Sequence, residues 1–264
     1  MPGPTMLGVA GWPVGHSRSP RMFAPALAAA GLDWRYVHLP LAPERFVATA
    51  RVLGASGYRG INVTLPHKEA AHDLADELSP AAAAIGAVNT LTYGDGAIHG
   101  DNTDAGGFLD ALGADPAGWR CLVIGAGGSA RAVVWALREA GGEVAVWNRT
   151  AARAAALAAD LGVGQAAEPF AADLLVNCTS VGLDQAVEPG EAAAAVGLAG
   201  LEPPAVLFDL TYGAGPTPLC RWAEAGGARA VDGAEMLVRQ GARSFERWTG
   251  RPADLDAMRA GFRA

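Results

Sequence analysis

One lysine of this chain stands where a positive charge is unusual. Residues 60–63 are predicted to form a strand, and Pro66 is predicted to begin a helix with Lys68 in its first turn. The helix dipole disfavours a cation at this end. The dipole and partial burial would both ease the loss of a proton from the ammonium group, which a lysine that transfers protons requires. Lys68 is therefore a candidate for proton transfer, and a solvated surface lysine is the alternative.

A cluster of polar residues offers a carboxylate for the same chemistry. Asp101, Asn102, Thr103 and Asp104 open a predicted helix that runs to residue 112. Four polar residues are more than one N-cap requires. Either Asp101 or Thr103 could cap the helix, which would leave Asp104 for another role.

Two further positions could contact a ligand. Ser17 and Ser19 follow a predicted strand over residues 6–10 and could aim two hydroxyls at a carboxylate. The alternative is an ordinary helix start at Ser19 and Pro20. Gln240 shares one face of a predicted helix over residues 233–248 with Ser244, so it either makes a core hydrogen bond or contacts a ligand.

A glycine-rich turn follows the predicted strand at residues 122–124. The pattern G-x-G-x-x-G/A is matched by six consecutive residues: Gly125, Ala126, Gly127, Gly128, Ser129 and Ala130. The first glycine permits a tight turn, the second lets backbone approach a pyrophosphate, and the small last residue lets the helix pack on the strand. The free N–H groups of that helix would point at phosphate. The turn therefore predicts a dinucleotide site.

The end of the next predicted strand, residues 144–147, indicates which dinucleotide binds. It lies about twenty residues past the turn, where an acidic residue would bind the ribose hydroxyl of NAD. This chain has Asn148, Arg149 and Thr150 there, with Arg153 one turn later. Guanidinium groups suit a phosphate dianion, which favours NADP. The alternative is a βαβ unit with a surface arginine.

Alternating strands and helices position these residues and predict an α/β fold. Further strands are predicted at residues 34–39, 87–93, 97–100, 174–177, 205–208 and 228–231. Further helices are predicted at residues 20–30, 43–53, 151–160, 217–225 and 253–262, with at most one short helix in 184–204. Polar residues follow strand after strand, where an open α/β sheet places its ligand crevice. A change in composition over residues 101–118 marks a domain boundary.

Composition limits the classes of partner. The chain has 264 residues, of which 51% are hydrophobic, and a net charge of −7. This is enough apolar material for one large or two modest domains, and it offers no basic surface for nucleic acid. We expect small-molecule partners, no membrane span and no metal. Three dispersed cysteines and the lack of a signal peptide in residues 1–15 favour a cytoplasmic protein.

Taken together, several motifs resemble the shikimate dehydrogenase family along nearly the whole chain. The segments that carry the resemblance are residues 16–20, 62–68, 86–90, 101–104, 125–130, 148–150, 177–180 and 236–240. The resemblance implies a two-domain α/β protein: residues 1–103 plus 233–264 as a substrate-binding and catalytic domain, and 104–232 as an NADP-binding Rossmann domain with a parallel sheet. It also implies reversible, NADP(H)-linked reduction of 3-dehydroshikimate to shikimate in the aromatic amino acid pathway.

The resemblance also assigns roles to matching residues. Lys68 and Asp104 would be the catalytic pair. Ser17, Ser19 and Tyr212 would hold the substrate carboxylate, and the ring hydroxyls would be bound by Thr64, Asn89, Asp104 and Gln240. The cofactor would be lined by Gly125, Ala126, Gly127, Gly128, Ser129, Ala130, Asn148, Arg149, Thr150, Arg153, Leu210 and Gly233. A monomer or homodimer is expected.

Some alternatives remain open. Quinate or aminoshikimate could replace shikimate, although Arg149 favours NADP and hence shikimate. A non-catalytic NADP-binding sensor and a reductase of the methylene-tetrahydrofolate dehydrogenase type are further alternatives, which Lys68, Asp104 and the paired serines argue against. Cys178 and Glu235 depart from the family pattern, and Glu235 could alter cofactor contacts.

Overall fold

The structure, a computed structural model, describes residues 4–264. Its strands are, in chain order, β1 (Met6–Gly11), β2 (Arg35–Pro40), β3 (Tyr58–Val63), β4 (Glu77–Leu78), β5 (Thr90–Gly94), β6 (Ala97–Asp101), β7 (Arg120–Ile124), β8 (Glu143–Trp147), β9 (Gly164–Gln165), β10 (Leu174–Asn177), β11 (Val206–Asp209) and β12 (Arg229–Val231). Its helices are α1 (Ser19–Ala29), α2 (Pro43–Ala50), α3 (Lys68–Leu74), α4 (Pro80–Ile85), α5 (Asp104–Leu112), α6 (Gly128–Glu139), α7 (Ala151–Leu161), α8 (Pro189–Ala195), α9 (Pro218–Ala225), α10 (Gly233–Thr249) and α11 (Leu255–Arg263).

The chain folds into two compact units. The first unit contains the described residues up to Gly107 together with Leu237–Ala264, and the second contains Phe108–Met236. The boundaries predicted after residues 103 and 232 lie instead after Gly107 and Met236. The predicted boundaries were at the starts of two helices, whereas the observed ones fall inside those helices, α5 and α10. Residues 1–3 lie outside the described residues. They are the start of the predicted first domain and of the segment 1–15, for which no signal peptide was predicted.

The first unit is built on a mixed sheet with the strand order β2-β1-β3-β5-β6-β4. Strand β1 pairs in parallel with β2 and β3, whereas β5 runs antiparallel to both β3 and β6. Phe46 of α2 and Ile61 of β3 are fully buried in the core beside this sheet. Because β1 and β3 are parallel, the segments that follow them, with Ser17 and Lys68, leave the same edge of the sheet.

The second unit has a fully parallel sheet with the order β12-β11-β10-β7-β8-β9. In this unit β7 is the first strand along the chain. The next strands, β8 and β9, lie on one side of it, whereas β10, β11 and β12 lie on the other side. Such a reversal leaves a crevice outside the carboxyl ends of β7 and β10, where open α/β sheets bind their ligands. The apolar run of β7, whose side chains from Cys121 to Ile124 are fully buried, is typical of a central parallel strand.

The predicted α/β fold class is confirmed, and the long strands and helices lie within a few residues of their predicted positions. Helix α3 begins at Lys68, two positions later than predicted, because Pro66 lies in a turn closed by a hydrogen bond from His67 N to Thr64 O. Helix α4 was not predicted, although Ser79 caps it and Pro80 occupies its first position. In residues 4–264, no helix is long and apolar enough to span a bilayer.

Candidate active site

Lys68 and Asp104 form a buried ion pair in the first unit. The Nζ atom of Lys68 lies 2.6 Å from Oδ2 of Asp104, and each side chain is 8% exposed. A lysine and a carboxylate at this distance share a charge-assisted hydrogen bond. The arrangement places a proton-bearing amine beside an acceptor in a site that excludes most water.

The start of α3 holds Lys68 in place through its backbone and its neighbour. The carbonyl of Lys68 accepts a hydrogen bond from Val88 N at 2.9 Å. The preceding residue, His67, stacks its ring on Phe46 with centroids 4.3 Å apart, and its Nε2 lies 2.7 Å from the carbonyl of Leu41. Burial lowers the pKa of His67, so the neutral ring is favoured. Lys68 therefore extends from a fixed backbone.

The cap of α5 differs from the prediction. Asn102, and neither Asp101 nor Thr103, accepts the hydrogen bonds of the first turn, from Asp104 N at 3.1 Å and from Ala105 N at 3.3 Å. Asp101 instead accepts a hydrogen bond from Ser79 Oγ at 2.6 Å. An amide caps as well as a carboxylate does, so composition could not choose between neighbouring candidates. With Asn102 as the cap, the carboxylate of Asp104 is available for Lys68.

Asn89 orients the second oxygen of Asp104. The Oδ1 atom of Asn89 accepts a hydrogen bond from the backbone N–H of Thr103 at 2.8 Å. Because that N–H can only donate, the amide orientation is determined, and Nδ2 points toward Asp104 Oδ1 at 2.8 Å. Both carboxylate oxygens of Asp104 therefore have a donor, one from Lys68 and one from Asn89.

Gln240 of α10 joins the same group. Its Oε1 accepts from Asn89 Nδ2 at 3.3 Å, and its Nε2 donates to the carbonyl of Leu237 at 2.8 Å. The side chain is buried. Gln240 therefore makes core hydrogen bonds in this structure. A contact between Gln240 and a ligand stays a prediction, and the proximity of Gln240 to Asn89 is consistent with it.

The two serines lie together at the start of α1. Ser17 Oγ donates to Ser19 Oγ at 3.1 Å, Ser19 is buried, and Ser17 is half-buried. Burial raises the pKa of Tyr36 well above its usual value, and a hydrogen bond with Ser19 offsets only part of this rise. Thr64, half-buried after β3, donates its backbone N–H to the carbonyl of Ala10 at 2.8 Å. The segment after β3 is thus hydrogen-bonded to the end of β1, the strand that precedes the serines.

The glycine turn of the second unit has the shape that its motif predicts. Gly125 has a φ of +115°, which side-chain-bearing residues rarely adopt, and a Cβ there would lie 3.2 Å from the backbone carbon of Cys178. A Cβ on Gly127 would meet nothing within 4 Å, so the space beside the turn is open. Within residues 4–264, α6 starts without a side-chain cap at Gly127 and without an acid in its first turn. The N-terminus of α6 therefore carries no acidic side chain that would repel an anion.

The other predicted cofactor residues also lie at the carboxyl edge of this sheet. Arg149 and Arg153 are placed after β8, where Arg149 is exposed, and Asn148 Nδ2 donates to the carbonyl of Thr150 at 3.0 Å. After β11, Leu210 and Tyr212 are half-buried. Gly233 begins α10 and donates its N–H to the carbonyl of Thr211 at 2.9 Å.

A buried carboxylate organises the loops after β10 and β11. Oδ1 of Asp209 accepts from Asn177 Nδ2 at 2.8 Å and from Thr211 N at 3.0 Å. Its Oδ2 accepts from Thr211 Oγ1 at 2.9 Å and from Thr217 Oγ1 at 2.6 Å. Burial raises the pKa of Asp209, and these hydrogen bonds offset part of the rise. The sequence placed Asp209 at the end of a strand but did not single it out.

Other buried polar residues were also missed. Asn62 of β3 accepts from Tyr36 Oη at 2.8 Å and donates to Ser244 Oγ at 2.8 Å. Thr90 of β5 lies 2.9 Å from the same Ser244 hydroxyl. A polar residue in an apolar strand was the available signal, because a buried polar group needs a partner. Among residues 4–264, no cluster of three or more histidine, cysteine or acidic side chains could hold a metal ion.

Three protein-family models match the chain. They are described as the shikimate dehydrogenase substrate binding domain over residues 9–91, shikimate / quinate 5-dehydrogenase over residues 112–178, and the shikimate 5'-dehydrogenase C-terminal domain over residues 233–260.

Individual proteins match over almost the full length. The chain is 48% identical over 269 residues to a shikimate dehydrogenase (NADP(+)) of Methylobacterium radiotolerans, with 95% of this chain and 94% of the relative covered. It is 44% identical over 261 residues to the corresponding protein of Gluconobacter oxydans, with coverages of 95% and 92%. A crystal structure of shikimate 5-dehydrogenase from Thermus thermophilus in complex with NADP(H) and shikimate is 42% identical, with a TM-score of 0.87 and 98% of both chains covered.

Proposed function

The chain belongs to the shikimate dehydrogenase family, and from that premise we propose that it catalyses the reversible reduction of 3-dehydroshikimate to shikimate. The predicted family and enzyme class, an NADP-dependent oxidoreductase acting on a CH–OH group, are confirmed. The observation that carries the proposed reaction is the buried Lys68–Asp104 pair, in which Asn89 holds the second carboxylate oxygen. We further propose a place in the aromatic amino acid pathway, before chorismate.

NADP(H) is the cofactor, as predicted. The second unit supplies groups that fit it: an open glycine turn, the uncapped N-terminus of α6 for the pyrophosphate, and Arg149 and Arg153 after β8 for the ribose phosphate. When bound, NADPH supplies the hydride. Leu210 follows β11 and Gly233 follows β12, two strands in the half of the sheet beyond the β7–β10 reversal, so we assign both residues to the nicotinamide end.

Lys68 supplies the proton in the direction of reduction. Negative charge develops on the carbonyl oxygen as the ketone is reduced, and an ammonium group can neutralise it and then donate a proton. The N–H bond of Lys68 breaks as the O–H bond of the product forms. In the oxidative direction, Lys68 takes this proton back.

Asp104 positions the amine throughout. Its Oδ2 accepts from Lys68 Nζ, and its Oδ1 is occupied by Asn89. A carboxylate with both oxygens directed in this way restricts the orientation of the lysine, and preorganised charges need no rearrangement during the reaction. We also assign Asp104 a hydrogen bond from a substrate hydroxyl.

The remaining polar groups give selectivity. Ser17 and Ser19, with Tyr212, are proposed for the substrate carboxylate, and Thr64, Asn89 and Gln240 for the ring hydroxyls. The Ser17–Ser19 hydrogen bond at 3.1 Å supports the first assignment, because it keeps two hydroxyls side by side. A substrate that lacks one hydroxyl would leave a buried polar group without its partner, which is a strong basis for rejection.

Steady-state kinetics test the proposal. Shikimate and quinate are each oxidised with NADP+ and with NAD+, and kcat/KM is compared in the four combinations. We expect the highest value for shikimate with NADP+. A preference for quinate would assign the chain to another branch of the family, and tight NADPH binding without turnover of 3-dehydroshikimate would favour the non-catalytic sensor. The monomeric or homodimeric state and the cytoplasmic location stay predictions.

A further inference from the structure

The hydroxyl of Ser244 lies at the centre of a buried polar cluster in the first unit. Ser244 is on α10, one turn after Gln240, and is fully buried. Its Oγ lies 2.8 Å from Asn62 Nδ2, 2.9 Å from Thr90 Oγ1, 3.1 Å from Thr103 Oγ1 and 3.1 Å from the carbonyl of Gln240. Full burial means that a substrate cannot touch Ser244, so any effect on the reaction passes through these neighbours.

The direction of these hydrogen bonds follows from the chemistry of a hydroxyl. The carbonyl of Gln240 can only accept, and the amide nitrogen of Asn62 can only donate. Ser244 therefore gives its proton to Gln240 O and accepts from Asn62, which leaves one lone pair for the hydroxyl of Thr90 or Thr103. Full use of its donor and acceptors gives Ser244 a single preferred orientation.

Two short paths lead from Ser244 to proposed active-site groups. One is direct, through the carbonyl of Gln240. The other passes from Thr103, whose backbone N–H orients the amide of Asn89, to Oδ1 of Asp104. Ser244 thus lies on the same helix as Gln240, the proposed ligand of a substrate hydroxyl, and contacts Thr103, the neighbour of Asp104.

Close backbone packing strengthens the link between α10 and α5. A Cβ on Gly107 would lie only 2.7 Å from the backbone nitrogen of Gln240. Helix α5, which begins at Asp104, therefore touches the backbone of α10 at the position of Gln240. A shift of α10 around Ser244 cannot be absorbed by a compressible side chain at this contact.

We propose that Ser244 is a positioning residue that holds Gln240 and Asp104 in one arrangement for the substrate. This inference rests on the proposed function. Ser244→Ala should raise the KM for shikimate through Gln240 and lower kcat through Asp104, reducing kcat/KM by about tenfold or more, because small displacements of reacting groups cost up to about 10²-fold. The dissociation constant of NADP+ should be unchanged, since the glycine turn belongs to the second unit.

Thr249→Val is the matched control. Thr249 is on the same helix and, like Ser244, donates its hydroxyl to the carbonyl one turn back, at 2.8 Å from Phe245 O. It has no hydrogen bond to the Asn62, Thr90 or Thr103 side chains within the described residues. Kinetic constants within about twofold of wild type are expected for this variant, because its loss is structural only.

A double-variant cycle decides between positioning and simple loss of folded protein. If Ser244 acts on KM through Gln240, then Ser244→Ala should raise KM no further in a Gln240→Ala background, because coupled residues are non-additive. Additive effects on KM, or a fall in kcat that only follows the fraction of protein able to bind NADPH, would overturn the inference.

Two further measurements complete the test. If circular dichroism shows that Ser244→Ala does not fold, Ser244→Cys replaces it, because a thiol keeps the shape of the side chain but weakens both hydrogen-bonding roles. This variant should show an intermediate loss of kcat/KM, and wild-type kinetics would overturn the inference. Wild-type turnover of shikimate is measured first. Its absence contradicts the proposed function, whereas wild-type turnover with unaltered kcat/KM in Ser244→Ala contradicts only the role of Ser244.

Discussion

The buried ion pair of Lys68 and Asp104 allows a quantitative test of the proposed site. At the observed 2.6 Å, and with an effective dielectric constant of about 20, two unit charges attract by about 6 kcal/mol. Desolvation of both ions offsets part of this attraction. Removal of one partner, however, leaves the other charge buried, which destabilises a protein by about 3–5 kcal/mol.

Three variants separate these terms. Lys68→Met and Asp104→Asn should each lower the free energy of unfolding by about 3 kcal/mol or more, whereas the double variant should lose less than the two single losses combined. The measurement is guanidinium unfolding followed by circular dichroism. Arg35→Met is the control, because Arg35 and Asp33 lie 2.7 Å apart but are 60% and 84% exposed, so their pair should contribute less than about 1 kcal/mol.

Activity gives the second part of this test. Lys68→Met should lower kcat by roughly 10²–10⁴-fold with NADPH binding retained, which is the range for loss of a general acid. Equal, small losses of stability for the buried and the exposed pair would show that Lys68 and Asp104 are hydrated. A kcat close to wild type in Lys68→Met would remove the lysine from the mechanism.

Other parts of the structure lead to three further predictions. Arg149→Ala should weaken the binding of NADPH by about 30-fold, because the loss of a charged hydrogen bond costs about 2 kcal/mol. The binding of NADH should be nearly unaffected in the same fluorescence titrations, and equal losses for both cofactors would contradict the phosphate assignment. Burial lowers the pKa of His67 below its usual 6.5, so the unfolded chain binds the proton more readily and stability is lost as the pH falls from about 6.5 through the folded pKa. His67→Gln should therefore flatten the acid side of a plot of unfolding free energy against pH, and an unaltered slope would assign the acid loss to other groups. Burial raises the pKa of Cys121 to about 12 and that of Cys220 to about 11. A thiol reagent at neutral pH should therefore modify half-buried Cys178 first, and all three cysteines only after denaturation. Rapid reaction of Cys121 in the native protein, seen by peptide mass mapping, would contradict the burial.

The buried polar cluster shows why selectivity and stability are linked in the first unit. Asn62, Thr90 and Ser244 are buried, yet each has hydrogen-bond partners within the cluster. Replacing one of them leaves a buried donor or acceptor unsatisfied, at a cost of about 1–3 kcal/mol. Because Asn89 and Gln240 belong to the same network, such a loss should also reach the proposed substrate contacts.

Local properties of the chain were sufficient for much of the fold. The apolar run of β7, the glycine turn and the amphipathic pattern of α10 depend on the order of neighbouring residues, so they could be predicted without knowledge of the partners. Short elements were the exception. Helix α4 has six residues and no apolar period, and β4 and β9 have two residues each, which is too little pattern for a prediction.

Apart from the Lys68–Asp104 pair, which the family resemblance implied, only the tertiary structure decided which side chains meet. Lys68 and Asp104 are 36 positions apart, and Asn89 and Gln240 are 151 positions apart. The side chains of each pair are nevertheless joined by a hydrogen bond, of 2.6 Å in the first pair and 3.3 Å in the second. Periodicity indicates the face of an element on which a residue lies, but not which other element covers that face. For this reason the amino-acid sequence determined the longer elements and the family of this protein, whereas the cap at Asn102 and the Ser244 cluster emerged only when strands and helices packed and their buried polar groups had to find partners.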